Sequence, residues 1–252
     1  MNVMTDKKSK EEGGFGETVR VIIQALLLAL VVRTFLFQPF NIPSGSMMST
    51  LLIGDYLFVS KYAYGYSRHS FPFGLPPFEG RVWEGEPERG DVVVFKLPRD
   101  SKTDYIKRVI GLPGDEVQVR EGLVYINGDE VPRERVDDYV AIDPSGRVTR
   151  VPRYRETLPN GKSYEVLDLT PNGLSDNTDV YQVPEGHYFM MGDNRDNSTD
   201  SRVLSAVGYV PFDNLVGRAE LVFFSIDEDT SIWEFWKWPT SVRWGRLFST
   251  VE

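Results

Sequence analysis

The sequence predicts an all-β protein, a barrel or sandwich with a small inserted β subdomain, preceded by one N-terminal transmembrane helix. Three observations carry this expectation. Short runs rich in Val, Ile, Phe and Tyr recur along the chain, each bounded by Gly, Pro, Asn or Asp. One long apolar run, Val21–Val32 (VIIQALLLALVV), stands alone near the start. From about Pro132 to Pro184 the chain turns polar, with DPSG, LPNG and PNGL separating weak strand candidates.

Composition narrows the function classes. The chain has 252 residues, 41% apolar and 26% charged, enough for a sizeable core. A net charge of −9 argues against nucleic acid as a partner. There is no cysteine, which removes disulfides, thiol catalysis and cysteine-based zinc sites. Two histidines, His69 and His187, and no HExxH argue against a zinc hydrolase as well.

Taken in order, residues 1–20 read as a polar, Lys/Glu-rich tail, and 21–38 as the anchor. The apolar run admits three readings: a cleavable signal peptide, a buried core helix, or a membrane anchor with Arg20 and Arg33 at its two interfaces. No small-x-small site follows promptly, which counts against the signal peptide, and the motifs downstream favour the anchor. The basic tail then stays in the cytoplasm and the bulk of the chain crosses the membrane. Tyr56–Tyr62, Val92–Leu97, Tyr105–Ile110, His187–Gly192 and Leu215–Ile226 read as strands. Tyr66–Gly90, rich in Pro, Gly and Phe, reads as an irregular loop. Glu116–Val131 reads as a hairpin turning at Asn127-Gly128. The expected division is 39–131 and 185–252 as one β domain, with 132–184 inserted. The end interleaves Trp233, Trp236, Trp238 and Trp244 with Lys237, Arg243 and Arg246. That pattern suits a membrane interface and the core face of a terminal helix equally.

Three stretches could carry chemistry. Gln38–Leu52 (QPFNIPSGSMMSTLL) follows the apolar run and presents Ser46 between Gly45 and Met47, behind the fixed backbone of Pro43. An ordinary turn has the same composition. The usual partners of a serine nucleophile are missing: GxSxG and SxxK do not occur, and each histidine sits where packing explains it. A lysine can serve instead if apolar surroundings lower its pKa. Lys107, in TDYIKRVIGLPGD, shares a strand face with Tyr105 and Val109 while Arg108 points to the other. A solvated edge-strand lysine remains the plainer reading. The third stretch, Gly192–Arg202 (GDNRDNSTDSR), begins like a calcium loop at Asp196, Ser198 and Asp200. It then has Ser201 where glycine is needed and Val207 where the bidentate glutamate belongs. A hydrogen-bonded loop fits better, with Asp200–Arg202 or Asp193–Arg195 pairing and Ser198 free to orient another group.

An apolar anchor followed by PSGSMMSTLLIGDY, RGDVVVFK, DYIKRVIGLPGD and GDNRDNSTDSR, in that order, resembles type I bacterial signal peptidase (leader peptidase), a serine–lysine protease family. YLFVSKYAYGYSRHSFPFG resembles its alphaproteobacterial branch. The resemblance implies Ser46 as nucleophile and Lys107 as general base. It implies an oxyanion hole from the Ser44 hydroxyl and the Ser46 N–H, and Ser198 positioning the lysine amine, supported by an Asp200–Arg202 pair. Phe40, Ile42, Pro43, Tyr105 and Ile106 then line shallow pockets for the small residues of an Ala-x-Ala site. It also implies a plasma-membrane enzyme with an extracytoplasmic catalytic domain and no metal or cofactor. Its partners would be secretory preproteins, the lipid bilayer and the secretion translocase. One residue departs from the pattern: the family usually has proline where this chain has Ser49.

Overall fold

The computed structural model describes residues 15–71, 78–142, 147–231 and 233–251. The N-terminal tail up to residue 14 and the DPSG turn lie outside them. Helix α1 spans Phe15–Phe35, so it starts earlier than the apolar run at Val21. It ends because Pro39 follows closely and cannot supply a helical N–H. Phe37 and Gln38, grouped with the apolar segment by composition, instead open the first strand. Thr34 is the only buried residue of α1, and the helix is long and apolar enough to cross a membrane.

The first four strands are β1 (Phe37–Asn41), β2 (Asp55–Ser60), β3 (Val92–Lys96) and β4 (Asp104–Gly111). Next come β5 (Glu116–Arg120), β6 (Leu123–Ile126), β7 (Asp129–Glu130), β8 (Arg133–Arg135) and β9 (Tyr139–Ile142). They are followed by β10 (Val148–Val151), β11 (Arg153–Thr157), β12 (Ser163–Leu167) and β13 (Tyr181–Gln182). The last are β14 (His187–Met191), β15 (Val210–Pro211), β16 (Leu215–Ser225) and β17 (Ser249–Thr250). The principal sheet runs β1-β2-β16-β3-β4-β14-β15, with β17 paired to β16. Its described pairings are antiparallel. Strand β16 slips register against both β2 and β3, and such bulges bend a strand and raise its twist. The sheet is accordingly curled, and the fold is mainly β as expected.

Strands β5, β6 and β7 form a three-stranded meander rather than one hairpin. Asn127-Gly128 makes its second turn with both φ positive, as a type I′ turn requires. The first turn is Glu121-Gly122, also with both φ positive. Glutamate is a poor occupant there, so the sequence carries no turn signal at that point. Between β8 and β13, β8-β11-β12 form a separate sheet, β9 and β10 a hairpin, and β13 pairs with β5. Leu158, Tyr164 and Val166 from this region pack with Ile110, Phe189 and Met191 of the principal sheet.

The aromatic end is not one helix packed on the core. It consists of short turns at Phe235–Lys237, Trp238–Ser241 and Trp244–Arg246. Trp233, Phe235, Trp236, Trp244 and Phe248 are exposed, whereas Trp238 packs on Phe224 with ring centroids 5.1 Å apart.

Candidate active site

The chain leaves β1 through Ile42-Pro43, passes Ser44 in extended conformation, and tightens into a 3-10 turn at Gly45–Met47. The first N–H groups of such a turn have no partner inside it, and that of Ser46 is among them. Gly45 fits because a Cβ there would meet Met48 Cε at 3.1 Å; no left-handed backbone is involved. Strand β4 brings the lysine. Lys107 Nζ lies 2.6 Å from Ser46 Oγ and also donates to the Ile106 carbonyl at 2.9 Å. Residues 46 and 107 are both buried. The Ser44 hydroxyl stands 3.5 Å from that of Ser46. A cleft of about 360 Å³ joins Pro43, Ser44, Ser46, Tyr105, Ile106 and Lys107.

Burial pushes the Lys107 ammonium down from 10.5 to about 8, against the opposing pull of Asp200 and Asp193. A buried amine close to neutrality, in contact with a hydroxyl, can take that hydroxyl's proton.

Three sets of contacts hold the serine loop. Asn194 donates its side-chain amide to the Gly45 carbonyl at 2.9 Å and its backbone N–H to the Ser46 carbonyl at 3.1 Å. Asp193 accepts from Thr50 Oγ1 at 2.6 Å and takes a two-pronged grip from Arg108 at 2.9 and 2.8 Å. Buried Asp55 accepts from the Leu52 N–H and Ser225, and Arg246 reaches it at 2.6 Å. Arg246 and Arg243 also donate to the carbonyls of Thr50 and Ile53. Two basic residues of the aromatic end, whose pattern suited a membrane interface or a core-facing helix equally, are therefore engaged in bracing this loop, and Lys237 pairs with Glu234.

The expected residues do not all converge. Asp200 and Arg202 form a doubly hydrogen-bonded pair, with both oxygens engaged at 2.9 Å. Asp200 is held below its usual range: burial alone would raise it, and the Arg202 guanidinium and the Gly192 N–H outweigh that. The alternative Asp193–Arg195 pair does not form. Asp193 goes to Arg108, and Arg195 grips Glu156 at 2.7 and 2.5 Å. Ser198 does not bond the lysine amine. Its Oγ is buried without a hydrogen-bond partner among the described residues. It presses on Gly192, where a Cβ would lie 2.2 Å from that oxygen and 2.6 Å from the Ser46 carbonyl. Ile42 is buried in the core rather than lining the cleft, and Phe40 borders a neighbouring cavity. Ser49 adopts φ 99°, a backbone closed to proline, and donates its hydroxyl to the Glu165 carbonyl at 2.5 Å.

Asp168, Asp176 and Asp196 bring carboxylate oxygens within 4.8 Å of one another. Asp168 is paired with Arg133, and Asp196 accepts the N–H groups of Leu169 and Thr170, so these groups brace loops. Sequence reasoning missed Thr50, Asp55, Arg108, Glu156 and Asn194. The one local signal was Arg108: an arginine inside a core strand demands a buried carboxylate.

A family model described as signal peptidase, peptidase S26, matches residues 15–224. The chain belongs to that family. Signal peptidase I of Rickettsia typhi is 42% identical over 267 residues, covering 99% of this chain and 97% of the relative. That of Rickettsia canadensis is 44% identical, covering 89% of each. A crystal structure of a signal peptidase I from Enterococcus faecalis is 29% identical, covers 53% of this chain and 96% of its own, and has a TM-score of 0.31. With curated relatives matched over nearly their whole length, the chain is a serine peptidase of the signal peptidase I type.

Proposed function

We propose that this peptidase removes N-terminal signal peptides from exported preproteins, cutting after small-x-small sites with Ser46 and Lys107. The contact of 2.6 Å between Lys107 Nζ and Ser46 Oγ, inside a cleft open to substrate, carries the reading. Lys107 takes the proton of Ser46 as its oxygen bonds to the scissile carbonyl carbon. The charge that develops on the carbonyl oxygen is met by the Ser46 N–H and the Ser44 hydroxyl. As the peptide bond breaks, Lys107 passes the proton to the leaving amine, and an acyl-enzyme on Ser46 remains. Water then gives its proton to Lys107 and its oxygen to the acyl carbon, and the proton returns to Ser46. No metal or organic cofactor takes part. The Asp200–Arg202 pair holds the Gly192 backbone behind the serine and serves as positioning rather than chemistry. Pro43, Tyr105 and Ile106 leave room for small side chains at the first and third positions before the cut.

In this reading α1 anchors the enzyme in the plasma membrane, with the N-terminus cytoplasmic and the β domain outside. The exposed Trp233, Trp236 and Trp244 rest at the lipid interface. Residues 39–131 and 185–252 form the catalytic domain and 132–184 its insertion, and the secretion translocase delivers the substrate.

The test is cleavage of an Ala-x-Ala preprotein in detergent–lipid micelles by wild type, Ser46→Ala and Lys107→Met, with products identified by mass. Cleavage after the alanine by wild type alone is expected. Full activity of Lys107→Met would refute the dyad, and a preprotein left intact by wild type would refute the specificity.

A further inference from the structure

A cavity of about 760 Å³ lies where the chain leaves α1, apart from the serine cleft, and Leu30 and Arg33 of the helix line it. Lys61, Arg68, His69, Lys96 and Lys102 line it as well. Its two acids are occupied: Asp104 pairs with Lys96 at 2.8 Å, and Asp100 accepts the Lys102 and Thr103 N–H groups and the Thr103 hydroxyl. Among the described residues, Arg33, Lys61, Arg68 and Lys102 enter no ion pair. Lys61 is the most telling of them. The residue is 3% exposed, and its ammonium donates to one neutral acceptor, the Ser70 carbonyl, at 2.5 Å. A buried ammonium without a carboxylate is costly, and an anion arriving in the cavity would relieve that cost. Burial and the neighbouring Arg33 push its pKa down to about 8, against the weaker pull of Asp104, which is paired with Lys96.

The cavity is fixed to the end of the helix. The Lys61 N–H donates to the Leu36 carbonyl at 3.0 Å, and the Tyr66 hydroxyl to the Phe35 carbonyl at 2.6 Å. These bonds occupy carbonyls at the negative end of α1, which would otherwise repel an anion. Cations therefore meet apolar residues, Leu30 and Phe71, at one place. A phospholipid has that arrangement, with hydrocarbon along a membrane helix and phosphate just beyond it. We propose that this cavity holds the phosphate of an anionic phospholipid between Lys61, Arg33, Arg68 and Lys102, with its acyl chains along α1. The proposal rests on α1 crossing the membrane.

The test uses full-length wild type, Lys61→Met, and the exposed double variant Arg68→Gln/Lys102→Gln, which keeps the test valid if the buried change unfolds the protein. Each is placed in phosphatidylcholine nanodiscs doped with phosphatidylglycerol, and the lipids retained after extraction are counted by native mass spectrometry. Wild type is expected to retain phosphatidylglycerol preferentially, and the preference should fall roughly fivefold for each cation removed. Equal retention by all three proteins, or no preference in wild type, would overturn the proposal. Displacement of the lipid by inorganic phosphate alone would make this a free-anion site, and displacement by a synthetic signal peptide would make it a substrate site; either result overturns it. Failure of wild type to enter phosphatidylcholine nanodiscs would remove α1 as an anchor and the proposal with it. Lost preference with insertion intact removes the proposal alone.

Discussion

Replacing Lys107 by methionine should abolish cleavage and at the same time stabilise the protein. The fall of the Lys107 pKa from 10.5 to about 8 sets the scale of the cost of keeping an ammonium at that position. At about 1.4 kcal/mol per pH unit this is roughly 3 kcal/mol. Below pH 8 the lysine is protonated folded and unfolded, so the whole cost is borne. Between about 8 and 10.5 the folded protein sheds the proton first, and the cost shrinks as pH rises. Above 10.5 both states are neutral and it is gone. Methionine is close in volume and uncharged, so it escapes the cost but gives up the hydrogen bonds to Ser46 and Ile106, about 1 kcal/mol each. The net gain near neutral pH is about 1–2 kcal/mol, or roughly 2–4 °C of Tm per kcal/mol for a chain of this size. Thermal unfolding of both proteins in detergent micelles at a series of pH values, followed by tryptophan fluorescence, reads it directly. Lys107→Met should melt higher at neutral pH and lose its advantage toward pH 10.5. A variant that melts lower at pH 7, or an advantage flat in pH, would refute the argument that burial makes this amine a base. In wild type, kcat/KM should rise with pH through about 8 as the amine deprotonates.

Ser44→Ala removes one proposed oxyanion donor; kcat for a preprotein should fall about 10²–10³-fold with KM nearly unchanged. Ser49→Pro forces φ from 99° toward the proline value and should cost about 3 kcal/mol or more in a denaturant melt. Ser49→Gly, which accepts that φ but loses the bond to Glu165, should stay within about 1 kcal/mol of wild type. Asp193→Ala leaves Arg108 buried without its carboxylate and should destabilise by about 3–5 kcal/mol, measured by chemical denaturation.

The strands were legible because their composition is local: VVVFK and DYIKR announce themselves without knowledge of any partner. Ser46 and Lys107 stood out through the order of four motifs, since nothing in the spacing of two residues 61 apart places them in contact. The braces around them were not legible. Thr50, Arg108 and Asp193 meet across three segments, as do Asp55, Ser225 and Arg246, and a long-range ion pair leaves no period in a sequence. Arg243 and Arg246 show how this misleads: alternating with tryptophan they imitate an interfacial pattern, while their side chains turn inward. The Ser198 expectation failed on a finer scale, because the strand and loop were placed well enough but the hydroxyl's direction depends on the backbone at Gly192. Glu121-Gly122 escaped notice because a glutamate at positive φ breaks the preference by which such turns are recognised.

Ser46 lies early in the β domain, yet the residues that shape its loop come late. The loop that cradles Gly45 is 149 residues downstream, and the guanidinium that grips Asp55 is 191 residues downstream. Without Arg243 and Arg246 the loop would keep its Asn194 and Asp193 braces and lose those on Asp55 and on the Thr50 and Ile53 carbonyls. The geometry of the Ser46 loop is therefore set by groups far along the chain, and a change at Arg246 acts on that loop across 191 residues from Asp55.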